Sequence, residues 1–313
     1  MLAYIEAMSN TPAYVERRMA RSEFITLRGL RHHVLRWGDA SLITPERPLL
    51  VMLHGWMDVG ASFQFAVDAL DALGDQRTVL AMDWRGFGLS DNGGGDAYWF
   101  PDYLGDLDAL LDAVSPNAPV DLLGHSMGGN VVMSYAGVRP ARIRRLINLE
   151  GFGLPETKPE MAPGRLVAWL DELKEQQQLK PYPSLEAVAE RLIKTNPRLS
   201  TAKAQWLAPH WAHEFDGQWL ILGDPAHKRT NPILYRRAEI LATWAAIEAP
   251  TLWVEGDSTD ITKWWGDRYP RADFESRLAV VKDLKQARLS DAGHMLHHDQ
   301  PEALAEHLAS FLA

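Results

Sequence analysis

The sequence predicts an α/β fold. A mostly parallel sheet of about eight strands is covered by helices on both faces, and a helical segment is inserted between two of the core strands. Three observations predict it. Short, continuously apolar runs alternate with amphipathic helical patterns, residues 151–240 interrupt that alternation, and a serine flanked by glycines stands where a strand pattern meets a helix pattern.

The elements follow in chain order. Residues 24–27 and 33–37 alternate in polarity around Arg28-Gly29-Leu30, as an opening hairpin does. Leu49-Leu50-Val51-Met52-Leu53 is unbroken and apolar, and helical spacing follows at Phe63, Val67, Leu70 and Leu73. Residues 78–82 make the next strand, and Tyr103, Leu107, Leu110, Leu111 and Val114 the next helix. Strands that are apolar throughout, rather than on alternate residues, belong to a sheet buried on both faces, which is what parallel strands with helical crossovers produce. Val120-Asp121-Leu122-Leu123 and residues 145–149, 251–255 and 287–290 continue the series, and a closing helix starts near Pro301. Residues 151–240 carry helical patterns and Trp169, Trp206, Trp211 and Trp219, but no convincing core strand. A structureless loop of that length is implausible in a compact domain. The expected organisation is therefore an N-terminal extension over 1–20, a core domain over 21–150 and 241–313, and a helical lid over 151–240.

Bulk composition narrows the functional classes. A hydrophobic content of 46% in 313 residues is ample for a core, and a net charge of −9 disfavours nucleic acid or an anionic membrane as partner. The absence of cysteine excludes disulfides, thiolate catalysis and cysteine-ligated zinc. Glu6, Glu16, Arg17 and Arg18 interrupt the first twenty residues, and no 18-residue apolar run occurs, so a cytoplasmic location is the expectation.

Chemistry concentrates in Gly124-His125-Ser126-Met127-Gly128, between a strand and a helix. A turn this sharp holds its serine in strained backbone geometry, the flanking glycines avoid collision with neighbouring elements, and the hydroxyl stands clear of the sheet. Three further segments accompany it at strand ends. They are His54-Gly55-Trp56-Met57, Asp83-Trp84-Arg85-Gly86-Phe87-Gly88-Leu89-Ser90-Asp91, and Ala292-Gly293-His294-Met295 followed by Asp299-Gln300-Pro301-Glu302.

In these residues and in this order the chain resembles the α/β-hydrolase superfamily, and within it the serine hydrolases that carry a helical lid. The resemblance covers all but the lid and the first 20 residues. It implies Ser126 as nucleophile, His294 as general base, and the backbone N–H groups of Trp56 and Met127 as an oxyanion hole. The family commonly supplies its acid from G-x-x-D after the seventh strand, but here Gly256-Asp257-Ser258-Thr259-Asp260 places Thr259 in that slot. Asp260, one residue late, is the first choice of acid. Glu150, at the tip of the strand 145–149, and Asp257 are the alternatives. The His54 side chain and residues 83–91 read as structural. His297 and His298 raise a metal-loop reading, set aside because no carboxylate cluster accompanies them at ligand spacing. No metal or cofactor is expected.

A serine at the elbow, where epoxide-opening and halide-displacing relatives use aspartate, points to acyl transfer on a small or medium carboxylic ester. Hydrolysis of a C–C bond in a meta-cleavage diketone by the same residues is the alternative, and a non-catalytic ligand-binding member of the fold is a third reading. Trp206, Trp211 and Trp219, together with Trp56, suit an apolar or aromatic substrate, or else simply pack the lid on the core. Residues 222–229 form a charged loop whose role as hinge, corner or carboxylate contact the sequence leaves open.

Overall fold

A computed structural model describes residues 12–313; residues 1–11 of the expected N-terminal extension lie outside the described residues. The strands are β1 (Arg21–Leu27), β2 (Leu30–Trp37), β3 (Leu50–Leu53), β4 (Val79–Met82), β5 (Val120–His125), β6 (Ile143–Leu149), β7 (Ala212–Phe215), β8 (Gln218–Ile221), β9 (Thr251–Gly256) and β10 (Leu284–Leu289). The helices are α1 (Gln64–Ala72), α2 (Phe100–Val114), α3 (Met127–Val138), α4 (Ala162–Glu172), α5 (Leu185–Thr195), α6 (Thr201–Trp211), α7 (Arg237–Ala245), α8 (Thr262–Trp265), α9 (Arg271–Leu278), α10 (Leu296–Asp299) and α11 (Pro301–Leu312).

β1 and β2 form the opening hairpin across Arg28 and Gly29, whose φ values of 51° and 82° make the left-handed two-residue turn that matches strand twist. β2 runs antiparallel to β4, and every later neighbour is parallel, giving one eight-stranded sheet in the order β1-β2-β4-β3-β5-β6-β9-β10. Successive residues of a strand face opposite sides. Leu50 and Met52 therefore enter one apolar cluster with α1 and α11, while Leu49, Val51 and Leu53 enter the other with α2 and α3. This two-sided burial is why the strands read as unbroken apolar runs.

β6 and β9 are sheet neighbours, with Leu146 opposite Thr251, so the chain between them is an insertion that adds no strand to the main sheet. It holds α4, α5 and α6 but also the hairpin β7–β8, which forms its own two-stranded sheet. The sequence reading missed that hairpin. Its signal is Asp216-Gly217, with φ of 51° and 72°, in the turn chemistry that joins two short strands. α7 packs on α3 so closely that a Cβ on Gly137 would lie 1.8 Å from the Thr243 carbonyl oxygen. The expected boundary at 240/241 thus falls inside a helix seated on the sheet's own crossover helix.

Two contacts dock the insertion. The His227 ring lies between Phe87 and Tyr98, with centroid separations of 3.7 and 3.5 Å, and the Tyr98 hydroxyl donates to Asp224 at 2.8 Å. The charged loop 222–229 is therefore the corner that seats the insertion on residues 83–91. On the other side, the Arg17 and Arg18 amides donate to Asp68 of α1 at 3.1 and 3.0 Å, while the Trp206 indole of α6 donates to Glu16 at 2.7 Å. Among the described residues no helix is long and apolar enough to cross a membrane.

Gly137→Ala tests the α3–α7 contact. Alanine raises intrinsic helix propensity by about 1 kcal/mol, yet its methyl group has nowhere to go. The overpacking penalty of ~1–3 kcal/mol should prevail, lowering the thermal unfolding midpoint; a midpoint at or above wild type would show that the two helices separate freely.

Candidate active site

The turn between β5 and α3 is built by exclusion. A Cβ on Gly124 would lie 2.3 Å from the Gly128 carbonyl oxygen, and one on Gly128 would lie 2.2 Å from that of Leu53 on β3. Only glycine at both positions lets the turn close against the neighbouring strand. Ser126 between them takes φ 52° and ψ −113°, a conformation L-residues avoid, while its N–H donates to the Leu149 carbonyl at 2.8 Å. The strained residue is thereby tied to the end of β6.

The His294 loop follows β10. Its Nε2 lies 3.0 Å from Ser126 Oγ and its Nδ1 lies 2.9 Å from Glu150 Oε2. When Glu150 is ionised its oxygen can only accept, so Nδ1 then carries the proton and the Nε2 lone pair faces the serine hydroxyl. The loop is held from behind by His125, whose Nε2–H donates to the His294 carbonyl at 2.7 Å, and by the Gly293 amide, which donates to Asp299 at 2.9 Å.

Glu150, not Asp260, is the carboxylate at the imidazole. Asp260 is exposed, and its Oδ1 accepts from the Thr262 amide at 3.0 Å and the Thr262 hydroxyl at 2.5 Å, turned away to the first residue of the short helix α8. Asp257 is also exposed and accepts from the Ser258 hydroxyl at 2.9 Å. Glu150 is 1% exposed and has φ 58° at the end of β6. Because β6 and β9 are adjacent, the Glu150 amide reaches the Val254 carbonyl at 3.1 Å, and Glu150 Oε1 accepts from the Gly256 amide at 2.7 Å and the Thr259 hydroxyl at 2.8 Å. The threonine in the family's acid slot thus donates to the carboxylate that occupies the acid's place.

Burial pushes the Glu150 carboxyl up to about 8, against the pull of its Gly256 and Thr259 donors. Burial also pushes the His294 imidazole down, to about 4. At 2.9 Å the two groups titrate as a pair. The reactive state is the one in which the carboxylate is charged and the imidazole neutral.

The loop after β3 passes beside the nucleophile. A Cβ on Gly55 would lie 3.2 Å from Ser126 Cβ. His54 fixes this loop: it is fully buried, its Nδ1 lies 2.7 Å from the Gly55 carbonyl, and its Nε2 accepts from the Trp84 amide at 3.0 Å. Asp83 likewise serves the backbone, accepting from the Gly60 amide at 2.7 Å and the Leu89 amide at 3.0 Å, and Arg85 donates to Asp106 at 2.6 and 2.5 Å. Trp56 is half-exposed beside the elbow. Met127 opens α3, where its N–H has no acceptor within the helix.

The lid tryptophans fall on the packing side of their two readings. Trp206 meets Tyr14 and Phe65 edge-on, with centroids 5.5 and 5.6 Å away, and Trp219 pairs through its backbone with Tyr182 at 2.8 Å. Both pack on the cluster of α1 and α11, as Trp211 does. The aromatic ring that does touch the site is Trp264 of α8. It lies edge-on to His294 at 4.6 Å and remains half-exposed. Sequence reasoning missed it, although Trp264-Trp265 follows the acid loop directly.

The family profile described as alpha/beta hydrolase fold matches residues 48–301. The chain is 27% identical over 310 residues to a serine hydrolase-like protein of Danio rerio, spanning 94% of this chain and 89% of that one. It is 24% identical to Esterase YbfF of Escherichia coli over 84% of this chain and 92% of the relative. The solved thioesterase domain from the curacin biosynthetic pathway superposes with a TM-score of 0.79 at 27% identity, covering 93% of this chain and 99% of that domain.

Thr259→Val tests the dyad's wiring. The hydroxyl favours the charged form of Glu150, so removing it raises the carboxyl further and the reactive state then requires higher pH. The acidic limb of the rate at which a fluorophosphonate modifies Ser126 should move up by about one pH unit, given the strength of a hydrogen bond to a charged group. An equal loss of rate at every pH would mean that Thr259 does not act through the Glu150 charge.

Proposed function

The chain belongs to the α/β-hydrolase fold family, and on that premise we propose that it is a serine hydrolase that cleaves carboxylic esters through an acyl-enzyme on Ser126. The observation that carries this reading is the unbroken relay from Ser126 Oγ to His294 Nε2 at 3.0 Å and from His294 Nδ1 to Glu150 Oε2 at 2.9 Å. The nucleophile is serine, so the intermediate is an acyl ester that water hydrolyses, not the alkyl ester that an aspartate would form in opening an epoxide.

The steps follow from the geometry. Ser126 Oγ attacks the ester carbonyl as His294 Nε2 takes its proton. Negative charge gathers on the carbonyl oxygen, opposite the backbone N–H groups of Trp56 and Met127, where one lost donor costs about 3 kcal/mol. The tetrahedral intermediate collapses, the C–O bond to the alcohol breaks, and His294 returns the proton to the leaving oxygen. Water then attacks the acyl carbonyl, again giving its proton to His294, and Ser126 leaves with that proton as the acid is released. Glu150 holds the tautomer throughout and stabilises the transient imidazolium. Trp264 against the imidazole and Trp56 beside the elbow favour an apolar or aromatic group next to the scissile bond.

A panel of p-nitrophenyl esters of increasing acyl length tests the reaction. Turnover is expected for at least one length and should vanish in Ser126→Ala; no turnover at any length, with Ser126 also inert to a fluorophosphonate, would overturn the reading. The acid is tested separately. Glu150→Gln should lower kcat by about 10⁴-fold, as expected when the imidazole loses its orienting carboxylate, and Asp260→Asn should stay close to wild type. The reverse pattern would return the role to Asp260.

A further inference from the structure

Directly behind the nucleophile lies a group of buried polar side chains that the proposed reaction does not use. Asp58 from the loop after β3, His125 from the end of β5 and His297 from α10 are 4%, 1% and 0% exposed. One ligand-capable atom from each lies within 4.8 Å of the other two, and His297 Nε2 is 3.9 Å from Asp58 Oδ2. Asp58 Oδ2, His125 Nδ1 and both ring nitrogens of His297 have no partner within hydrogen-bonding distance, and the Trp211 indole N–H that faces the Asp58 carboxylate is itself unpartnered. Folded proteins rarely leave buried polar atoms unsatisfied, and four in one place from three elements are a reason to look for a ligand.

We propose that Asp58, His125 and His297 form a binding site for a divalent transition-metal cation of the zinc class, seated beneath the nucleophile turn. The donor set of two imidazoles and one carboxylate is one that zinc accepts, with a fourth position left for a small ligand. Two of the three ligands, His125 and Asp58, have the supports of a metal site, and His297 has none. A metal-bound histidine usually donates its other N–H to a carbonyl or carboxylate, and a bound carboxylate is itself hydrogen-bonded. His125 meets the first condition, since Nε2–H donates to the His294 carbonyl and Nδ1 keeps its lone pair. Asp58 meets the second, because Oδ1 accepts from the Val59 amide at 2.9 Å and from the Ser62 hydroxyl, while Oδ2 faces His297 Nε2 at 3.9 Å.

The site shares its parts with the catalytic loops, because His125 precedes Ser126 and His297 lies three residues beyond His294. The test nevertheless reads the metal itself, independently of ester turnover. The full-length chain, purified from cells grown with added zinc chloride and gel-filtered, should carry about one zinc per chain by elemental analysis. After removal of zinc with a chelator, cobalt(II) should restore occupancy and give the intense visible absorption of a low-coordinate nitrogen and oxygen site. Asp58→Asn and His297→Gln should reduce both signals to background while keeping a cooperative unfolding transition, and the exposed His307→Gln should keep them. His297→Phe, which refills the volume with a ring that cannot ligate, replaces His297→Gln if that variant does not fold. Zinc at background in the wild-type chain, or zinc that survives substitution of both Asp58 and His297, would overturn the proposal.

Discussion

The constraint on which the rest depends is the closeness of the β5–α3 turn to β3. With a Cβ on Gly128 only 2.2 Å from the Leu53 carbonyl oxygen, this corner has room for backbone and nothing more. The helix must therefore start at Met127, and the one residue between strand and helix takes the strain. That residue is Ser126, at φ 52°, tied through its amide to Leu149. A relaxed turn there would lose both the direction of the hydroxyl and the link to β6, from which the carboxylate comes. Such strain costs about 1–3 kcal/mol and persists only where surrounding packing over-determines it, as the fully buried strands on either side do.

The second organising contact is between the ends of β6 and β9. β6 ends at Leu149, opposite Val254, and β9 continues to Gly256, so both strand ends lie near the imidazole arriving from the loop after β10. Here the β6 end supplies the charge, and the β9 end supplies an amide from Gly256 and a hydroxyl from Thr259 that hold it. Burial works against the charge and these two donors work for it. Asp260 instead accepts from the amide of Thr262, the first residue of α8, which carries Trp264 against the imidazole.

Ser126 and His294 were legible because each sits in a loop whose conformation is written by its own neighbours: glycines at 124 and 128 around one, Gly293 and the Pro301 helix start around the other. The eight-strand sheet was legible for a similar reason, since burial on both faces leaves unbroken apolar runs. The acid was less so. Its identity depends on strand adjacency and on donors 106 and 109 residues away in sequence, which no local pattern records. The tryptophans of the insertion misdirect in the same way, because an indole on an amphipathic helix reads alike whether it faces a pocket or, as Trp206 does, Tyr14 and Phe65. Asp58 joined two histidines only through tertiary contact, so the sequence showed the His297-His298 pair without its carboxylate.

The most direct measurement of the central claim is mass spectrometry of the intact chain, acid-quenched during turnover of a p-nitrophenyl ester and then mapped by peptide. The account predicts a chain heavier by one acyl group, with that group on the peptide containing Ser126 and disappearing as substrate is exhausted. Acid release with no acylated chain at any time point, or an acyl group on any residue other than Ser126, would contradict it.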